Sequence, residues 1–139
     1  MPETDYFVHV RSDDSSSLFP SNTPFSFTVK LPVELAFQGD WFCSLVDILH
    51  PAPEGSQPKT LTVKCDFVRT SIVDGTTDTV LRRFFTRGFD GHMFADARYM
   101  RVLGTSARQL AFSITGDNIK HALQGDGVTV LTVRFRRSQ

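Results

Sequence analysis

"QGDWFCSLVDILHPAPEG" (residues 38–55) holds the one tryptophan of the chain in an apolar run with turn-makers at both ends. Gly39-Asp40 turns the chain into the run. Trp41, Cys43 and Leu45 recur at period two, so a strand places all three on one face. Pro51 and Pro53 then end pairing, because proline has no amide proton to donate. Trp41–Leu49 reads as an inner strand with Trp41 aimed into a core.

The same period recurs along the chain. Phe25, Phe27, Val29 and Leu31 alternate with Ser26, Thr28 and Lys30. Leu61, Val63, Cys65 and Phe67 alternate with Thr60, Thr62, Lys64 and Asp66. Leu110, Phe112 and Ile114 form a third series, and Leu131, Val133 and Phe135 a fourth, the last against Thr132, Arg134 and Arg136. Each run predicts a strand with one buried and one wet face. Tyr6–Val10, Thr79–Phe85 and Tyr99–Leu103 complete a set of about eight strands. Turn signals separate them, among them Asp74-Gly75, Asp90-Gly91 and Gly125-Asp126-Gly127. Pro32–Phe37 and Asp117–Leu123 are each compatible with one helical turn, too short to cross over a parallel sheet. The expected fold is all-β: residues 1–139 form a single jelly-roll domain, an antiparallel sandwich of about eight strands.

Fifteen basic and fifteen acidic residues cancel among the 139. No global field therefore draws in nucleic acid or a membrane, and copies of the chain repel one another little. Thirteen phenylalanines stand against two tyrosines. That excess fits a core, and equally fits contacts between chains, where aromatics concentrate. Cys43 and Cys65 lie inside apolar runs and read as buried free thiols. The N-terminal residues lack the basic start and apolar stretch of a secretory signal, and no run has the length of a membrane helix. The expectation is a soluble protein matured in a reducing compartment.

No catalytic set emerges. His9, His50, His92 and His121 are scattered, without an i, i+4 pair or a Cys-x-x-Cys, so no metal and no cofactor is expected. A cupin-type enzyme would need clustered ligands, and His9 has no second histidine at usable spacing. Asp74–Asp78, and Asp117-Asn118 with Asp126, are thin for a calcium ion that takes six or more oxygens, and fit turn chemistry better. Arg82-Arg83-Phe84-Phe85-Thr86-Arg87 and Arg134-Phe135-Arg136-Arg137 place arginine beside aromatics. Strand alternation is expected to send arginine outward and phenylalanine inward, so a solvated or subunit-contact face is preferred to a nucleic-acid site.

The order of motifs is distinctive: "DYFVHVRSDDSSSLFPSNTPFSFTVKLPVELAFQGDWFCSLVDILHP", then "LTVKCDFVRTSIVDG" and "VLRRF", then "ARYMRVLGTSARQLAFSITGDNIKHAL" and "VTVLTVRFRR". In this order and spacing the chain resembles the jelly-roll minor capsid (penton-type) proteins of Polinton/Maverick elements and adintovirus-like DNA viruses. The matching positions are Tyr6–Val8, Leu18–Asn22, Phe25–Pro32, Gly39–Leu45, Pro51, Cys65-Asp66, Tyr99–Val102, Leu110–Asp117 and Leu131–Arg136. Members of the family carry an additional segment between the Trp strand and the Cys-Asp strand, where this chain has only Pro51 to Lys59.

The resemblance implies a structural capsid protein, not an enzyme, that assembles into a ring, a pentamer at capsid vertices. Its partners would be further copies of itself and a major capsid protein, with no small-molecule substrate. It would be built into virions inside the host cell, in nucleus or cytoplasm. Trp41, Cys43, Leu45, Cys65, Phe112 and Phe135 are the expected core signature. Phe19, Phe37, Phe84, Phe89, Met93 and Phe94 are candidate subunit contacts, because they fall on loops or wet faces yet are apolar. The alternative is a soluble β-sandwich binding module for a carbohydrate or protein ligand, with Trp41 or Tyr99 as its stacking platform.

Overall fold

The computed structural model describes residues 5–55, 57–117 and 121–138. Eleven strands run in chain order: β1 (Asp5–Arg11), β2 (Ser26–Ala36), β3 (Trp41–Leu49), β4 (Thr60–Cys65), β5 (Ser71–Val73), β6 (Thr76–Asp78), β7 (Val80–Phe85), β8 (Gly91–Met93), β9 (Met100–Arg101), β10 (Ser106–Thr115) and β11 (Val130–Arg137). One sheet has the order β1-β11-β3-β8, with β9 also on β3; the other has the order β2-β10-β4-β7. All pairings are antiparallel. The chain crosses between the sheets at most steps, β4 and β7 being neighbours in one sheet and β8 and β9 both lying on β3 in the other, and each sheet interleaves strands from the two ends of the sequence. This is the jelly-roll sandwich.

The buried face of each strand is the one that its period-two pattern sets. Trp41, Cys43 and Leu45 of β3 face Phe112 of β10 and Cys65 of β4 across one core, together with Phe135 of β11. Phe135 packs on Phe37 at 5.0 Å and on Phe67 at 5.4 Å between ring centroids. Trp41 is stacked on Tyr6 at 5.3 Å, meets Phe37 edge-on, and donates its indole N–H to the Gln38 carbonyl. Gly39 makes the preceding turn at φ +90°, a conformation that side chains other than glycine's resist.

Three bulges interrupt the described pairings: one on β7 at Leu81, opposite Val63 and Lys64, and two on β3 and β2 that redirect side chains. Between Leu45 and Asp47 the pairing of β3 with β11 shifts register, so the inward phase moves to Ile48 and Leu49 turns out to solvent. On β2, Lys30 pairs with Gln109 while Leu35 pairs with Ala107, which leaves residues 31–34 in a wide bulge. Pro32–Phe37 is thus not a helical turn. Pro32 sits in an edge strand, where its missing donor breaks no ladder. Of the second helical expectation, Asp117–Leu123, residues 118–120 lie outside the described part of the chain. Its flanks show no helix, and Thr115 bridges to Ala122.

All eight expected strands are present. The additions are β8 and the β5–β6 hairpin, whose two-residue turn is Asp74-Gly75 with φ +50° and +80°. The hairpin is tied to the outer face of the second sheet by Lys64 with Asp78 at 2.9 Å and by Arg83 with Asp74 at 3.0 Å. Lys64 and Arg83 flank Thr62, and Thr62, expected on a wet face, is fully buried.

Candidate interaction surface

Edge strands β7 and β8 lie on one side of the sandwich, and Arg82 and Phe84 of β7 reach across to β8 and the segment after it. Arg82 of β7 donates through Nη2 to Asp96 Oδ1 at 2.8 Å and through Nη1 to the Asp96 carbonyl at 2.9 Å. Its guanidinium also lies 3.9 Å from the centre of the Phe94 ring. Phe84 packs on His92 of β8 at 4.6 Å and edge-on to Phe94 at 5.0 Å.

Alternation in Arg82-Arg83-Phe84-Phe85 corrects the expectation that arginine goes out and phenylalanine in. Residues two apart share a face, so each face must receive one of each. Arg82 and Phe84 are buried; Arg83 and Phe85 are exposed. Phe85, Phe89 and Met93, at 71%, 66% and 88% exposure, line an open cleft of about 560 Å3 between these edges. Arg87 also lines it. Leu49, turned outward by the β3 bulge, lies beside Gly91 of β8.

The six candidate contacts therefore separate. Phe89 and Met93 are on this surface, and Phe94 is half-buried beneath it. Phe84 is in the core cluster, on the inward face of β7. Phe37 is at 2% exposure, wedged between Trp41 and Phe135, so neither it nor Phe84 is free to meet another chain. Phe19 is half-buried in the loop between β1 and β2, beside the opposite edges of the sheets. Phe85 was missed because its neighbour Phe84 carries the same residue type inward.

His50 and His92 are the other pair that spacing did not reveal. They stack at 5.9 Å with an interplanar angle of 14° because β8 pairs with the end of β3, Ile48 opposite His92. His50 Nδ1 hydrogen-bonds the Pro51 carbonyl at 2.9 Å, and His92 Nε2 hydrogen-bonds the Phe89 carbonyl at 3.0 Å. Burial holds the His92 ring below the usual histidine range, and the His50 ring opposes its charge further. His9 contacts Thr132 Oγ1 at 3.1 Å.

Among the described residues, no group of three or more His, Cys, Asp or Glu is placed to hold a metal. The acidic loops serve the protein's own groups. Asp117 accepts from the amides of Lys59 and Thr60 and from the Thr60 hydroxyl, while Asp74 and Asp78 hold the hairpin. Trp41 is at 4% exposure, which removes it as a ligand platform. Tyr99 is half-buried and lines a smaller cleft with Phe42, Arg136, Arg137 and Ser138. No described helix is long and apolar enough to cross a membrane.

Compared with known proteins, the chain matches no family model and no curated protein.

Proposed function

We propose that this chain is a structural shell protein that joins copies of itself side by side into a closed ring, a penton-type capsid component. The observation that carries the reading is the aromatic cleft between edges β7 and β8, with Phe85, Phe89 and Met93 in solvent on a jelly-roll scaffold. Exposed apolar groups gathered in one place mark an interaction site. The ordered motif resemblance to Polinton/Maverick and adintovirus-like penton proteins supports the same reading. So does the zero formal charge, which lets copies approach closely.

The mechanism is burial and shape. A contact between unlike sides of one chain, repeated by rotation, closes into a ring when the angle suits and otherwise runs on as a filament. At roughly 25 cal/mol per Å2 of apolar area, modest contacts multiplied around a ring hold it without covalent links. In a particle the ring would sit at the vertices against a major capsid protein, assembled within the host cell. Electron microscopy of concentrated protein tests this. Closed rings of uniform diameter are expected, and isolated particles of monomer size would count against it. The second reading, a soluble binding module, is favoured by the half-exposed Tyr99 cleft.

A further inference from the structure

The outer face of the first sheet carries a pattern that linear sequence hides. Cross-strand register sets Phe7 of β1 beside Arg134 of β11, which stands beside Ser44 of β3. The next row holds Asp5, Arg136, Phe42 and Arg101, one from each of four strands. Phe135 points into the core, as alternation requires, but the outward neighbours of Arg134 and Arg136 are themselves aromatic. Arg134 lies over the Phe7 ring at 5.3 Å, and Phe7 is 56% exposed. Tyr99, just before β9, joins Phe42, Arg136 and Arg137 around a cleft of about 370 Å3.

The charges on this face do not cancel. Asp5 pairs with Arg134 at 3.0 Å and Asp40 with Arg101 at 2.6 Å. Arg136 and Arg137 have no ion pair among the described residues. Phe7 and Phe42 on the sheet face and Tyr99 beside it, interleaved with arginines of which Arg136 reaches only the Asp5 charge opposite it and Arg137 makes no ion pair, suit a ligand with flat rings on an anionic thread.

We propose that this face binds single-stranded nucleic acid, with bases on Phe7, Phe42 and Tyr99 and phosphates on Arg136 and Arg137. Phe7 and Phe42 are two strands and two residues apart, roughly 12 Å at sheet spacings, so bases on the two rings are separated by an intervening nucleotide. A duplex keeps its bases stacked on each other and cannot use the rings, so single strands are preferred. A double-stranded nucleic acid or an acidic protein segment would use the arginines alone.

Fluorescence anisotropy with a labelled oligothymidylate of about 20 nucleotides tests this, against a duplex of equal length and a polyglutamate peptide. The expected result is preference for the single strand at about 50 mM salt, with a log–log salt slope of roughly −1.5 to −3 for two to four phosphate contacts. Arg136→Ala with Arg137→Ala is expected to weaken binding about tenfold and flatten that slope. Phe7→Ala, exposed and safe for folding, is expected to weaken it severalfold and leave the slope unchanged. No binding at that salt, equal binding of duplex or polyglutamate, or a Phe7→Ala protein that binds as well as the parent would each overturn the proposal.

Discussion

Arg82 and Asp96 join the two sheets at their open side through two hydrogen bonds, although the arginine side chain is 3% exposed and the aspartate 63%. The exposed partner holds a buried guanidinium that also lies over the Phe94 ring. The hydrogen bond from Arg82 also keeps the Asp96 carboxyl below the usual carboxylate range, and Arg98 adds to this. The pair fixes the segment that follows β8, the strand whose last residue is the exposed Met93.

Arg82→Ala is therefore expected to cost about 2 kcal/mol, the scale of a lost buried hydrogen bond to a charged group. Arg83→Ala, one residue along and facing solvent, is expected to stay within about 0.5 kcal/mol of the parent. Chemical denaturation of the two variants checks the contrast.

Much of this fold is legible in the sequence. Phe27, Leu61, Phe112 and Phe135 announce their faces by period two, and the sheets form around them. What stays hidden depends on pairing. The β3 bulge that exposes Leu49, the three-residue strand β8 and the His50–His92 stack all arise from register between distant segments. The aromatic cleft was half legible: Phe89 and Met93 show as apolar residues among turn-makers, whereas the split of Phe84 and Phe85 needs the phase of β7.

Cys43 and Cys65 are buried in the core, and burial raises both thiols well above the ordinary cysteine range. The thiolate is the reactive form, so a thiol reagent is expected to label neither cysteine in the native protein and both after denaturation. Rapid native labelling at either position would show that the core opens.

The His92 ring is held below its ordinary value of 6.5, chiefly by burial. The groups facing it are His50, which opposes its charge, Asp90, which favours it, and the Phe89 carbonyl. Its neutral form is the one the fold prefers. Its contribution to stability is full above about pH 6.5 and is lost as pH falls through the lower folded value. Thermal melts from pH 7.5 to 5 are expected to show that loss, and His92→Gln to flatten it. An identical pH dependence in both proteins would remove His92 as the cause.

The Phe89→Ser, Met93→Ser double variant is expected to fold with a melting temperature close to the parent, because both side chains are largely in solvent. It is also expected to lose self-association, since the substitutions remove the apolar area that the contact would bury. Size-exclusion chromatography over a concentration series reads both species.

Native mass spectrometry of the purified chain tests self-assembly most directly. The account predicts a discrete closed multiple of the chain mass, five-fold for a vertex ring, that collapses to monomer in the double variant. A parent that remains monomeric at high concentration, or an oligomer that survives loss of Phe89 and Met93 unchanged, would contradict it.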